Sequence, residues 1–125
     1  MRLLLDWHAF LWWLDQAPNL SPHAYEAIAD PENEIAVSAV TPWELEIKRA
    51  SGKLRSPQDV VGRLRAERFH ALAITVEHGV AAARLPLHHR DPFDRMLIAQ
   101  AQIEGLTIVT RDPRFAPYSV ATMPA

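Results

Sequence analysis

Four acidic residues, Asp6, Glu44, Asp94 and Asp112, stand where surface charge alone is a poor explanation. Asp6 directly follows the apolar run Leu3-Leu4-Leu5, and Asp112 lies two residues past Thr110, at the end of the apolar run Leu106-Thr107-Ile108-Val109. Glu44 and Asp94 each sit just inside the start of a predicted helix, in Thr41-Pro42-Trp43-Glu44 and Asp91-Pro92-Phe93-Asp94. Two carboxylates about 4 Å apart repel by roughly 4 kcal/mol at a near-surface effective dielectric. A cluster of them must raise its pKa values, recruit cations or bind a metal. An all-oxygen set suits Mg²⁺ or Mn²⁺, ions that keep some waters and share their coordination with substrate phosphates. One or two such ions can activate water and stabilise the leaving oxygen of a phosphodiester. The spacing makes the site apt for that chemistry without showing it.

Convergence of the four acids requires a particular order of elements. Leu3-Leu4-Leu5 reads as a short buried strand ending at Asp6, followed by an aromatic-rich helix from His8 to Leu14. Ser21-Pro22 caps and opens a helix to about Ala29. Ile35 to Ser38 is a second buried strand. Thr41 to Glu44 has the pattern of a capping box with proline at the first helical position, opening a helix to Ala50 that stops at Ser51-Gly52. Ser56-Pro57 opens a further helix to roughly Arg68. Ala71 to Ile74 is a third strand candidate, and Val76 to Arg84 another helix. Asp91 is a good N-cap for the helix begun by Pro92 and ended by Gly105. Leu106 to Thr110 is the clearest strand, and Ser119 to Thr122 a candidate last one. Short apolar strands alternating with helices indicate a parallel sheet covered on its faces. Ligand sites in such sheets form at the carboxyl ends of the strands, and all four acids can reach that rim.

Simpler roles compete for each residue. Glu44 can serve as the capping-box acid with Lys48 as its i+4 partner, whereas Asp91 suits the cap and leaves Asp94 for the site. Asp112 before Pro113 can be a turn acid. Thr110 reads as a β-branched strand residue, with orientation of a neighbouring carboxylate as the second choice. Arg95 and Arg111 flank acids, where they either contact phosphates or offset charge. His88 and His89 lack the helical spacing of zinc ligands and read as structural or solvated. His8 can approach the site, cap or face solvent. Trp12 and Trp13 lie about 100° apart on a helix, so one core face cannot fully bury both. Arg63, Arg65 and Arg68 share no helix face and read as solvated.

The composition sets outer bounds. The 125 residues suit a single domain with one ordinary core, 49% hydrophobic and 22% charged. With no cysteine, disulfides and thiolate metal sites are excluded. The N-terminal apolar run is too short for a signal peptide, and no run approaches a membrane span, so a cytoplasmic protein is expected. A net charge of −2 points to a local nucleic-acid site, if there is one, rather than a basic coat.

Four segments carry a resemblance. They are Leu4-Leu5-Asp6 with His8 to Trp13; Ser38-Ala39-Val40 with Trp43-Glu44-Leu45 and Ile47-Lys48; Leu87 to Arg95 with Leu97 to Ala101; and Val109-Thr110-Arg111-Asp112. In this order, from end to end of the chain, they resemble PIN-domain ribonucleases of the VapC toxin type, from bacterial toxin–antitoxin pairs. The resemblance implies a three-layer α/β/α PIN-like fold with a central, mainly parallel sheet. It implies Mg²⁺- or Mn²⁺-dependent cleavage of RNA to 3′-hydroxyl and 5′-phosphate ends, a homodimer, and inhibition by a small VapB-like antitoxin. Matched residue by residue, Asp6, Glu44 and Asp94 are the core acids that hold the metal and Asp112 the fourth, more variable one.

Two other readings stay open. Another Mg²⁺-dependent phosphoryl-transfer enzyme, such as a phosphatase, would want an Asp-x-Asp turn after the first strand, which Asp6-Trp7-His8 does not supply. A domain that binds RNA or protein without catalysis has no use for four intact acids.

Overall fold

In the computed structural model, which describes residues 1–55 and 59–125, five strands form one sheet in the order β3-β2-β1-β4-β5. Along the chain these elements are β1 (Arg2–Leu5), α1 (Trp7–Leu14), α2 (Pro22–Ala29), β2 (Glu34–Ser38), α3 (Val40–Ala50) and α4 (Val60–Ala66). They continue as β3 (His70–Leu72), α5 (Val76–Arg84), α6 (Pro92–Glu104), β4 (Thr107–Thr110) and β5 (Thr122–Pro124), with a 3₁₀ turn at Pro113–Phe115. Every strand pair is parallel, so the expected mainly parallel sheet is parallel throughout.

The period of two along each strand divides the interior into two cores. Leu3, Leu5, Ile35, Val37 and Val109 face one side, where Phe10, Leu14, Ala24, Ile28 and Leu64 of α1, α2 and α4 cover them. Leu4, Ala36 and Ile108 face the other, against Leu97, Ile98 and Ala101 of α6 with Phe115 and Tyr118. Leu3, Leu4 and Leu5 are fully buried although their side chains alternate in direction. Burying each contributes about 1.5–3 kcal/mol, which is why a sheet covered on both faces is written as an unbroken apolar run.

β1 lies at the middle of the sheet, and the chain leaves it in opposite directions. The α1–α2 connection leads to β2 on one side, and the α5–α6 connection brings the chain from β3 across to β4 on the other. This reversal of strand order between β1 and β4 opens a crevice at their carboxyl ends. Asp6 and Asp112 stand at that crevice.

Several local expectations change in the folded chain. Helix α3 begins at Val40, not at Pro42, and its N-cap position is Ala39 with no side-chain bond. The Thr41–Glu44 capping box does not form, because the backbone is already helical at Ala39 (φ −55°, ψ −25°) as it leaves β2. Ser38 Oγ accepts from Val40 N at 3.1 Å instead, so Glu44 falls a full turn into the helix and is not used for capping. The last strand is Thr122–Pro124 rather than Ser119 to Thr122: Tyr118 is anchored in the second core, which delays pairing, and Pro124 is tolerated at an edge. β3 stops at Leu72 because Thr75 then caps α5, its hydroxyl accepting from His78 N at 3.1 Å. The expected Ser56-Pro57 helix start lies outside the described residues; within them, α4 is capped by Asp59. No helix among the described residues is long and apolar enough to cross a membrane.

Candidate active site

Asp6 closes β1 and caps α1 at once. Its Oδ1 accepts from Ala9 N at 2.8 Å, and its Oδ2 accepts from the Thr110 hydroxyl at 2.6 Å. The pairing of Leu5 with Val109 in the β1–β4 ladder sets that second contact. Thr110, read from sequence chiefly as a strand residue, therefore orients a carboxylate. Its Oγ1 also accepts from Asp112 N at 3.1 Å, which ties both acids to one hydroxyl.

Asp94 is carried by the start of α6. Asp91 Oδ1 accepts from Phe93 N and Asp94 N, and Pro92 occupies the first turn, as expected. At the far end Gly105 takes a left-handed conformation (φ +69°) that terminates the helix. Asp94 is 6% exposed. Glu44, 2% exposed, accepts from Lys48 at 2.9 Å, the i+4 pair its position predicts. Asp112 sits at the rim, where Arg114 pairs with it at 2.8 Å.

The four carboxylates act on one another. Burial, then repulsion from Asp91, Glu44, Asp6 and Asp112, pushes the Asp94 pKa up to about 8. Burial also raises Asp6 to about 6, against the pull of the Thr110 and Ala9 donors and with repulsion from Asp112 and Glu44 added. Burial raises Glu44, while Lys48 opposes the shift. Asp112 moves the other way, held down by its bonds to Arg114. Among the described residues Asp6 has no cationic partner, and the nearest ring to Asp94 is His89, which burial keeps toward its neutral form. Two buried acids with little compensating charge form a hard, oxygen-rich donor set of the kind that accepts a divalent cation.

Among the described residues, the close-set group of metal-ligating atoms is nevertheless not the four acids. His89, Asp94 and Asp112 place their ligand atoms within 4.8 Å of one another. His89 is 1% exposed, with Nε2 2.8 Å from Asp94 Oδ2 and 3.7 Å from Asp112 Oδ2. By sequence alone this position reads as a structural or solvated histidine. No local pattern marks it, because its contact with Asp94 depends on how the loop ahead of α6 folds. His88 stays exposed, and His8 packs against the rings of Trp7 and Trp12, within electrostatic reach of Asp112 but with no hydrogen bond to the four acids.

The flanking arginines have other duties. Arg95 is buried and donates to the carbonyls of Ala82, Ala83, Leu85, Pro86 and His89, which closes the end of α5. Arg111 donates to the carbonyls of Asn19 and Ala125 and lies over the Trp12 ring. Neither meets the acids. Arg114 is the cation at Asp112, as Lys48 is at Glu44, and no sequence pattern marks it for that role. Arg63 donates to Leu14 O and closes α1 rather than being simply solvated. Trp12 and Trp13 are both half-buried, with Trp13 donating to Glu67.

Comparison with known proteins gives the same picture. The PIN domain matches residues 3–120. Ribonuclease VapC22 of Mycobacterium tuberculosis is 32% identical over 115 residues, covering 90% of this chain and 88% of the relative. Solved structures with the same fold include VapBC2 of Rickettsia felis bound to a promoter DNA fragment, with a TM-score of 0.72, 17% identity and 98% of both chains covered. DNA-bound VapBC of Salmonella typhimurium aligns with a TM-score of 0.71 and 16% identity over 98% of this chain and 97% of that one. FitAcB of Neisseria gonorrhoeae aligns at 0.66 and 19%, covering 98% and 96%. A chain matched over nearly its whole length, with its acids gathered at the crevice beside β1, belongs to the PIN-domain family.

Proposed function

We propose that this chain is a metal-dependent endoribonuclease, the VapC-type toxin of a toxin–antitoxin pair. The observation that carries the reading is that two buried, weakly compensated carboxylates, Asp6 and Asp94, lie within electrostatic reach of each other and of Glu44 and Asp112 at the carboxyl edge of a parallel sheet. The relative named as a ribonuclease supports the activity, and the neighbours solved as VapBC and FitAB complexes support a small antitoxin as partner. A homodimer and a cytoplasmic location belong to the same reading.

Asp6, Glu44, Asp94 and Asp112 would hold Mg²⁺ or Mn²⁺. When bound, the ion supplies Lewis acidity to a phosphodiester oxygen and lowers the pKa of water at neutral pH. The chain's own residues do the rest. Thr110 and the start of α1 keep Asp6 from turning. Asp91 and Pro92 fix the first turn of α6 and thereby the place of Asp94. Lys48 and Arg114 offset part of the negative charge at Glu44 and Asp112, and the exposed Arg114 presents a cation to an incoming phosphate. A carboxylate of the set accepts the proton of the attacking water.

The test incubates the purified chain with structured RNA and with a phosphomonoester, in Mg²⁺ and in EDTA. Cleavage of RNA alone, abolished by EDTA and by Asp6→Asn or Asp94→Asn in folded protein, is the expected result. Full RNA cleavage by the double variant overturns the assignment. Release of phosphate from the monoester instead favours a phosphatase, and RNA retention without cleavage favours a binding domain.

A further inference from the structure

His89 is held from several sides. Its backbone N–H donates to the Tyr118 hydroxyl at 2.8 Å, and that hydroxyl donates to Pro86 O at 2.6 Å. Its carbonyl accepts from Arg95 at 3.1 Å, and the Phe115 ring meets the imidazole edge-on, 5.8 Å between centroids at 84°. These contacts fix the backbone of His89 and hold its ring edge-on against Phe115. Its Nδ1 lies 3.3 Å from Asp91 N, a backbone N–H that can only donate. Nδ1 must be the bare, accepting nitrogen, and the ring's proton must sit on Nε2. Nε2 points at Asp94 Oδ2, 2.8 Å away, so the N–H donates to the carboxylate.

This geometry decides between two roles. A metal ion at Nε2 would need both ring nitrogens unprotonated while Nδ1 accepts from Asp91, which a neutral imidazole cannot provide. We infer that His89 is not a ligand but a positioning residue: its Nε2–H occupies Asp94 Oδ2 and leaves Oδ1 as the oxygen available to a cation. Asp94 Oδ1 accepts no hydrogen bond among the described residues. Asp94 would then stand to His89 as Asp6 stands to Thr110, each carboxylate with one oxygen taken by a side-chain donor. Outer donors of this kind fix ligand orientation and typically change metal affinity about 10- to 100-fold when removed. The inference rests on Asp94 being a metal-binding acid.

Two measurements test it, and neither depends on RNA cleavage. Nitrogen NMR of the imidazole in the unmodified, metal-free chain should show a protonated Nε2 and a bare Nδ1, and saturating Mg²⁺ should leave the Nε2 proton in place. Loss of that proton on adding Mg²⁺, or a proton on Nδ1 at the outset, overturns the inference. In parallel, Mn²⁺ binding is followed by electron paramagnetic resonance in His89→Phe, His89→Gln and Asp94→Asn. Binding should weaken about 10- to 100-fold in His89→Phe. It should be largely restored in His89→Gln, which keeps an N–H donor, and lost in Asp94→Asn. Unchanged binding in His89→Phe with loss in Asp94→Asn overturns the inference alone. Unchanged binding in Asp94→Asn overturns the metal reading of Asp94, and the inference with it.

Discussion

The Thr110 hydroxyl donates to Asp6 Oδ2 across the β1–β4 junction, 2.6 Å between oxygens that are 104 residues apart in sequence. A charge-assisted O–H···O⁻ bond of that length is at the strong end of its class. It joins the two neighbouring parallel strands at which the strand order reverses, and it takes one of the two oxygens of the acid that ends the central strand.

Thr110→Val keeps the shape and β-branching of the residue but removes the donor. It leaves a buried carboxylate oxygen unsatisfied and should cost about 1.5–3 kcal/mol of stability. RNA cleavage under saturating Mg²⁺ should fall about 10- to 100-fold, as for loss of a donor behind a metal-binding acid. Thr110→Ser, which keeps the hydroxyl, should retain most of both. Urea titration and cleavage rates check the pair. Equal behaviour of Val and Ser would mean that the hydroxyl is dispensable.

The raised acids make stability depend on pH. In the unfolded chain Asp6 and Asp94 titrate near 3.8; in the folded chain they do so at about 6 and about 8. Across that window the folded state holds protons that the unfolded state has lost, so stability declines with rising pH. Their contribution is complete below about pH 4, and is lost first through Asp6 and then through Asp94 as pH rises. The lowered pKa of Asp112 has the opposite sign, with its loss confined to acid below the window, and the lowered His89 and His8 oppose the decline only below about pH 6.5, so the Asp94 part is read above that pH. Divalent cations replace the missing protons, so Mg²⁺ should flatten the decline. Urea midpoints between about pH 5 and about pH 8, in EDTA and in Mg²⁺, measure the effect. A metal-free protein that gains stability between about pH 6.5 and about pH 8 would contradict the buried-acid description.

Arg95 offers a structural prediction. Its buried guanidinium serves five carbonyls at and beyond the end of α5, including that of His89. Arg95→Met keeps the apolar stem and strands these acceptors, with an expected loss on the order of 3 kcal/mol. Arg95→Lys should recover only part, since an ammonium cannot reproduce the planar fork. Thermal unfolding measures both. A stability loss within about 0.5 kcal/mol, as for an ordinary surface site, would show that the bonds contribute nothing net.

Local chemistry made much of this protein legible before any coordinates. Asp91-Pro92 and Gly105 bracket α6, and Ser21-Pro22 opens α2, because caps and left-handed glycines depend only on near neighbours. Unbroken apolar runs such as Leu3-Leu4-Leu5 announced strands covered on both faces, and the alternation with helices announced the parallel sheet. The same local logic failed at Thr41–Glu44. There the path of the chain out of β2 starts the helix early, and tertiary geometry overrides a good capping pattern.

What the sequence determined by itself was therefore the set of elements, the family motifs and the acids at their ends. Their partners were decided only in three dimensions. Which hydroxyl faces Asp6 depends on the β1–β4 register, and which ring faces Asp94 depends on how residues 85–91 fold over the start of α6. Arg95, adjacent to Asp94, turns away to the end of α5, while Arg114 reaches the site. Side-chain direction follows from packing between elements distant in sequence, and no local pattern encodes it.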